Sequence, residues 1–181
     1  DNSRYMINNA LEKKRPESVG FGNQIGDEKF FLGEQIDCVI SLFNVINCVE
    51  NLSGLEMFFS TVISRIRDGG IFIFEAWNGS ECMFNPPTVV SRSYKESSSR
   101  SSLTRIATPH LYRGEQRLTI DYKIEGVFCG EYINFESVHE ITLFTIREIS
   151  YLLQKVGFSE LKMFNALPDL KGIDENNKEP A

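Results

Sequence analysis

IDCVISLF (residues 36–43) and IFIFEAW (residues 71–77) are two nearly uninterrupted apolar runs. Strands that are covered on both faces of a parallel sheet have this composition. Between the two runs, residues 55–66 repeat apolar side chains every three or four positions, which predicts a helix that stops at Asp68-Gly69-Gly70. Strand, helix and strand together predict a right-handed parallel crossover unit.

After Gly79 the sequence alternates polar and apolar residues and contains many Thr and Tyr residues. Such alternation predicts the strands of an antiparallel sheet. The serine-rich segment 96–102 predicts a hairpin tip, with a linker between domains as the alternative. Four stretches fit the strands, namely Thr88–Tyr94, Leu103–Tyr112, Arg117–Val127 and Tyr132–Phe144. The predicted fold class is therefore α/β, with a Rossmann-like, mostly parallel sheet flanked by helices and an antiparallel β insertion.

Two pairs of residues have the spacing of capping boxes, in which each side chain satisfies a backbone N–H at a helix start. These pairs are Ser53 with Glu56 and Thr145 with Glu148, and Gly157 is predicted to end the second helix in a left-handed conformation. We further predict a helix over residues 3–14 and a strand over residues 158–164.

The predicted elements divide the chain into three parts. Residues 1–79 form the Rossmann-like core without its first strand, and residues 80–144 form the antiparallel insertion, which we expect to cover the site where a substrate binds. Residues 145–181 return to the core with the last helix and strand and end in a charged tail. The chain begins at Asp1 without an initiator Met, so we expect it to start inside a domain.

The composition of the chain limits the classes of partner that we expect. The 181 residues carry a net charge of -6, and an acidic surface repels the phosphate backbone of nucleic acids. We therefore expect a small-molecule substrate and no nucleic-acid partner. No apolar run approaches the roughly 20 residues that span a bilayer, so no membrane partner is expected. The oligomeric state stays open, with a homodimer as one option.

Cysteine usage favours a reducing compartment. The four cysteines show no CxxC spacing, and three of them lie within or beside apolar runs, where a free thiol packs as a small hydrophobe. The N-terminus has no basic-then-apolar secretion signal. We expect a cytoplasmic protein without a disulfide framework and without a metal.

The order of motifs resembles the class I S-adenosylmethionine-dependent methyltransferase family over nearly the whole chain. The resemblance is carried by Asp1-Asn2-Ser3 with Met6 and Ala10, by residues 36–43, by Asp68-Gly69-Gly70 followed by residues 71–75, and by Lys155-Val156-Gly157-Phe158. It implies S-adenosyl-L-methionine as the cofactor. The family's glycine-rich first loop, whose backbone approaches the cofactor closely, is absent, and we expect it to precede Asp1.

A narrower likeness lies downstream. Residues 75–77, 105–107 and especially 137–144 resemble the dTDP-amino-sugar N,N-dimethyltransferases and their relatives, which carry an antiparallel sheet in this place. The resemblance implies N- or O-methyl transfer to a small molecule such as an amino sugar or sugar nucleotide. These enzymes often place a histidine, a candidate base, after the fourth strand, and Cys48 occupies the matching position here.

On this resemblance, three N-terminal residues are candidate cofactor ligands. A carboxylate at Asp1 could accept hydrogen bonds from both ribose hydroxyls, the alternative being an acid at the positive end of a helix dipole. Gly22-Asn23 and Gly26-Asp27 both match the family's Gly-Asp pair, so Asn23 and Asp27 are alternative acceptors for the adenine amine, with Asp27 preferred.

The end of the first apolar run supplies further candidates, because open α/β sheets bind ligands at the carboxyl ends of their strands. Ser41, Leu42 and Phe43 are predicted to bind the cofactor, and the ring of Phe43 could face the adenine or the sulfonium. Core packing is the alternative for Phe43. Asn44 and Asn47 lie just beyond the end of this run and are predicted to bind substrate.

Glu75 and Trp77 are predicted to shape the substrate pocket after the second run. Methyl transfer needs donor and acceptor to be aligned and one proton to be removed from an amine or hydroxyl. His139 is the candidate base, with His110 as the lesser alternative. A histidine in an alternating strand is more often structural than catalytic.

Two competing functions remain. A methyltransferase-fold module that binds cofactor or a partner without catalysis is favoured by the replacement of the family histidine by Cys48. A nucleotide-sugar-binding or NAD-linked Rossmann enzyme fits poorly with Asp68-Gly69-Gly70 and with the antiparallel insertion.

Overall fold

The structure is a computed structural model, and it describes residues 36–98 and 100–164 together with Tyr5, Asn8, Asn9, Glu12 and Lys13. Four of these N-terminal residues (Tyr5, Asn8, Asn9 and Glu12) are helical and fall within the helix predicted over residues 3–14. The predicted ligands Asp1, Asn23 and Asp27 lie outside the described residues.

Two parallel strands form the first sheet. Strand β1 (Ile36–Ser41) pairs with strand β2 (Ile66–Phe74), so that Ser41 lies opposite Phe74. Helix α1 (Leu52–Ile63) connects the two strands after a short 3₁₀ turn, Val45–Cys48. The predicted parallel strand–helix–strand unit is confirmed.

The ends of α1 differ from the prediction. The helix begins after Asn51, whose side-chain oxygen accepts a hydrogen bond from Gly54 N at 2.9 Å, so the predicted Ser53–Glu56 capping box is wrong. Glu56 instead pairs with Lys155 on the last helix at 2.7 Å. The helix also ends earlier than predicted, because Ile66 pairs with β1 and the chain is extended from there.

The last described helix, α3 (Ile146–Val156), packs against α1, and the main core lies between them. The core contains buried residues of both helices, namely Leu55, Phe59, Ile149, Leu152 and Leu153. The predicted capping box of Thr145 and Glu148 is confirmed, and Gly157 ends the helix with a φ of 116°. A left-handed residue of this kind favours glycine, because it has no Cβ to clash.

The core covers one face of the parallel sheet. Phe72 and Phe74 point to this face and contact Phe59, with ring centroids 6.1 and 6.0 Å from it. Among the described residues the opposite face carries large apolar side chains that are exposed, in particular Ile40, Ile71 and Ile73. The expectation that both faces are covered is therefore met on one face only in this part of the chain.

Four antiparallel strands form the second sheet in the order β3-β4-β5-β6. Their bounds are Val90–Glu96, Ser101–Tyr112, Arg117–Phe128 and Glu131–Thr142, and each end lies within two residues of the predicted one. Helix α2 (Gly79–Phe84) links the two sheets along the chain. The chain is therefore a mixed α/β protein with a parallel pair of strands and an antiparallel sheet.

One predicted strand is absent from the described residues. Residues 158–164 run without regular secondary structure, and only Phe164 forms a β-bridge. Within the described ranges no helix has the length and apolar character required to cross a membrane.

Candidate functional site

The loop that follows β1 has an unusual backbone. Phe43 and Asn44 both adopt positive φ angles, 60° and 57°, which costs energy for any residue other than glycine and is uncommon for a bulky aromatic residue. Phe43 is 87% exposed, so core packing, the alternative considered for it, does not explain this conformation. Backbone strain of this kind is concentrated at binding sites. Here the strained residue is an exposed phenylalanine at the carboxyl end of a strand.

Glu75 holds this loop in place. Its carboxylate oxygen Oε2 accepts a hydrogen bond from the backbone N–H of Phe43 at 2.8 Å, and its own backbone N–H donates to Ser41 O at 3.0 Å. A hydrogen bond to a charged acceptor is stronger than a neutral one. The carboxyl ends of β1 and β2 are thus joined through two predicted site residues, Phe43 and Glu75.

Asn47 joins the same loop to the second sheet. Its side chain is buried, and its amide nitrogen Nδ2 donates to Thr142 O at 2.8 Å. Its amide oxygen Oδ1 accepts from the backbone N–H of Trp77, also at 2.8 Å. Asn47 therefore touches the end of β6 and the segment that follows β2. Its predicted role as a substrate ligand stays a prediction.

Trp77 lies between the two sheets. It is half-buried and packs against a cluster formed by Leu118, Ile120 and Leu143. Tyr122 packs against the same cluster from β5. The antiparallel sheet therefore adjoins the segment that follows β2, as expected of a sheet that lines a site at this edge.

His139, the predicted base, lies on β6 opposite Ile120, so it shares the sheet face that carries this cluster. Its ring meets Tyr122 edge to face at 4.9 Å between centroids. Arg105, on the same face, places its guanidinium 5.4 Å from the centre of the Tyr122 ring. An imidazole, a phenol and a guanidinium are therefore grouped along the sheet face whose apolar cluster also contacts Trp77.

His110 lies on the other face of the antiparallel sheet. It is paired in register with Thr119, and its ring nitrogen is 3.1 Å from Asp121 Oδ2. A shallow groove of about 360 Å³ also opens on this polar face, lined in part by Lys123 and Glu125, which form an ion pair at 2.9 Å. This groove contains none of the predicted site residues.

Helix α2 contacts the apolar cluster that adjoins Trp77. Cys82 packs against the same cluster as Trp77, and burial raises the pKa of its thiol, with a smaller contribution from the nearby Glu81 carboxylate. A neutral thiol at this position behaves as a small apolar side chain. Across the described ranges, no group of three or more His, Cys, Asp or Glu residues could hold a metal ion.

The structure thus brings seven predicted residues together at the carboxyl ends of β1 and β2 or in the loops that follow, namely Ser41, Leu42, Phe43, Asn44, Asn47, Glu75 and Trp77. His139 is on the adjoining sheet. Sequence reasoning did not single out Thr142 or Arg105 as members of the site. Thr142 carries no local signal, since its carbonyl enters the site through a contact 95 residues away in sequence.

This arrangement is similar to the fold of solved S-adenosylmethionine-dependent methyltransferases, as the sequence resemblance predicted, although the described residues contain only one parallel pair of strands beside the antiparallel sheet. The chain is similar to DesVI of Streptomyces venezuelae, with a TM-score of 0.76 and 18% identity over 95% of this chain and 70% of DesVI. It is also similar to the sugar N-methyltransferase KedS8 from Streptoalloteichus sp ATCC 53650, with a TM-score of 0.73 and 17% identity over 87% of this chain and 60% of KedS8.

A third similar structure is that of CalS10, an amino pentose methyltransferase from Micromonospora echinaspora, solved with S-adenosylmethionine bound. The TM-score is 0.63 at 16% identity, over 82% of this chain and 60% of CalS10. The chain therefore spans between 60% and 70% of the length of these three proteins. No protein-family model and no curated protein matches the sequence.

Proposed function

We propose that this chain provides the site of an S-adenosylmethionine-dependent methyltransferase that acts on a small molecule, an amino sugar or sugar nucleotide. One observation carries the proposal. The carboxyl ends of β1 and β2, where open α/β sheets bind ligands, adjoin the face of the antiparallel sheet that bears Tyr122 and His139. A donor at the strand ends and an acceptor on the sheet face would meet beside Trp77.

The cofactor side of the proposal uses the strained loop. The exposed ring of Phe43, held by Glu75, offers a π face to the adenine or to the positive sulfonium. Ser41 and Leu42 precede it at the end of β1 and would line the same region. Asp1 would bind the ribose, and Asp27, or in the alternative Asn23, the adenine; these three assignments rest on the family resemblance.

The acceptor side uses the antiparallel sheet. The cofactor supplies a methyl group on a positively charged sulfur, so the methyl passes to the acceptor nitrogen or oxygen as the S–CH3 bond breaks. The acceptor must then lose one proton, and His139 would receive it. Asn44, Glu75 and Trp77 would orient the acceptor at the strand ends.

The nature of the acceptor is supported by charge and by the comparisons. Arg105 presents a guanidinium beside Tyr122, which suits a phosphate or diphosphate group. KedS8 and CalS10 are methyltransferases of sugars by their descriptions. The three-part division into residues 1–79, 80–144 and 145–181 belongs to this proposal, with strands β3 to β6 covering the acceptor.

Cofactor binding is the first test. Calorimetry with S-adenosylmethionine on the intact protein should show binding, and labelled cofactor should transfer its methyl group to an amino sugar or a sugar nucleotide. Binding without transfer to any such acceptor would support the alternative of a non-catalytic module, consistent with the exposed Cys48 at the position of the family histidine. An absence of binding by the full-length protein would refute the proposal.

The two histidines provide a matched test of the base. His139→Gln should reduce kcat by a factor of about 10² to 10⁴, the usual contribution of a general base. His110→Gln changes the same residue type on the opposite face of the same sheet and should leave the rate unchanged. Equal rates for the two variants would remove His139 from the reaction.

A further inference from the structure

Asn47 is the most deeply buried of the predicted site residues that the structure describes, at 1% exposure. A buried polar side chain costs free energy unless it is hydrogen-bonded, so its partners define its role. Both ends of the Asn47 amide are bonded to backbone groups, Thr142 O and Trp77 N. These two groups belong to different elements, the end of β6 and the segment that follows β2.

The chemistry of the two partners requires a side chain that donates at one end and accepts at the other. Thr142 O is an acceptor and needs a donor opposite it, whereas the N–H of Trp77 is a donor and needs an acceptor. A flipped amide would place like groups against each other at both contacts, so only one orientation is compatible with the site. Aspartate has the same shape, yet its carboxylate has no proton to offer to Thr142 O.

The two bonds connect three distant parts of the chain. Asn47 lies in the turn after β1, Trp77 follows β2, and Thr142 ends β6. A second contact strengthens one link, since the Thr142 hydroxyl donates to Val49 O at 2.6 Å. The antiparallel sheet is therefore tied to the strand ends at the point where Trp77 packs between them.

We propose that Asn47 is a positioning residue that fixes the Trp77 ring and the end of β6 against the carboxyl end of β1. Its role is to set the distance between the donor region at Phe43 and the acceptor region at His139, not to bind the acceptor itself. This inference rests on the proposed function for its catalytic consequence, while the position of Trp77 can be measured without any substrate.

Trp77 is the single tryptophan of the chain, so intrinsic fluorescence reports its position directly. Asn47→Ala removes both bonds and should shift the Trp77 emission to longer wavelength as the ring becomes more exposed. Asn51→Ala is the matched control, because Asn51 also bonds a backbone N–H, at Gly54, but caps a helix whose start does not include Trp77. The control should leave the emission maximum unchanged.

Asn47→Asp is the sharper variant and carries the test if Asn47→Ala does not fold. At low pH the protonated carboxyl can donate to Thr142 O while its carbonyl accepts from Trp77 N, as the amide does. Burial raises the pKa of such a carboxyl, and its ionisation removes the donor. The variant should therefore show wild-type emission at low pH and a red shift as the pH rises.

The titratable groups on the elements that Asn47 joins, namely Cys48, Glu50, Glu75 and Arg117, are shared with the wild type, whose own pH profile serves as the baseline. If methyl transfer is observed, Asn47→Ala should lower kcat by roughly 100-fold, the effect of a misplacement of about 1 Å, with a smaller change in the KM for S-adenosylmethionine.

Failure of the wild type to bind cofactor would overturn the proposed function and leave the fluorescence result standing. Unchanged Trp77 emission in both Asn47 variants would overturn the positioning role.

Discussion

Gly79 occupies a position where a single added carbon would disturb the junction between the two sheets. Its N–H donates to Phe144 O at 3.1 Å, and a Cβ added at Gly79 would lie 2.5 Å from Phe144 O and closer still to Leu143 O. Carbon–oxygen contacts normally measure about 3.3–3.6 Å, so the backbone would have to move by roughly 1 Å. The obstructing atoms are backbone, which no side-chain rotation can relieve.

We predict that Gly79→Ala destabilises the protein by about 2–4 kcal/mol. Overpacking of a tight site costs about 1–3 kcal/mol and loss of the buried hydrogen bond about 1 kcal/mol. For a chain of this size the loss corresponds to a fall in Tm of roughly 4–16 °C. Because Gly79 directly follows the Trp77 segment, the emission of Trp77 should shift as well.

Urea denaturation and thermal unfolding, each followed by circular dichroism, measure this loss. Gly114→Ala is the matched control, since a Cβ added at Gly114 meets no atom within 4 Å and its φ is not positive. The control should be neutral or more stable by about 0.4–1 kcal/mol, because alanine restricts the unfolded chain. Equal stabilities for the two variants would refute the argument from close approach.

Three further predictions concern the core, a cap and a thiol. Phe59→Ala should lower the free energy of unfolding by about 3–5 kcal/mol in urea titrations, because Phe59 is fully buried and contacts the rings of Phe72 and Phe74. Thr145→Ala removes the cap of α3 and should cost about 1 kcal/mol in the same assay, and an unchanged midpoint would contradict the observed capping box. Since burial raises the pKa of Cys82, the folded state favours its neutral thiol. The corresponding stability is present below pH 9.0 and is lost as the pH rises further, and iodoacetamide should label Cys82 more slowly than exposed Cys48 at neutral pH, which peptide mapping can measure.

Local patterns in the sequence predicted much of the fold. The two apolar runs at residues 36–43 and 71–77 correspond to β1 and β2, and the alternating stretches correspond to the four antiparallel strands. Thr145, Glu148 and Gly157 mark the start and end of α3 as predicted. These signals are readable because hydrophobic periodicity and capping involve residues only a few positions apart.

The boundaries of α1 show where local reasoning fails. Ser53 and Glu56 have the spacing of a capping box, yet Asn51 caps the helix and Glu56 binds Lys155, 99 residues away. The helical periodicity continues to Ile66, but Ile66 joins β2 because it can pair with Ile36. Tertiary contacts decide between local alternatives of similar energy.

The features of the candidate site also divide into those that the sequence predicted and those that only the structure revealed. Sequence alone identified the strand ends and the residues that follow them, because the carboxyl edge of a parallel sheet is a general binding position. Only the tertiary structure revealed the bond from Glu75 to Phe43, the grouping of Arg105, Tyr122 and His139, and the amide of Asn47. A residue's partners across 30 to 95 positions depend on how the sheets pack, and no local pattern records that packing.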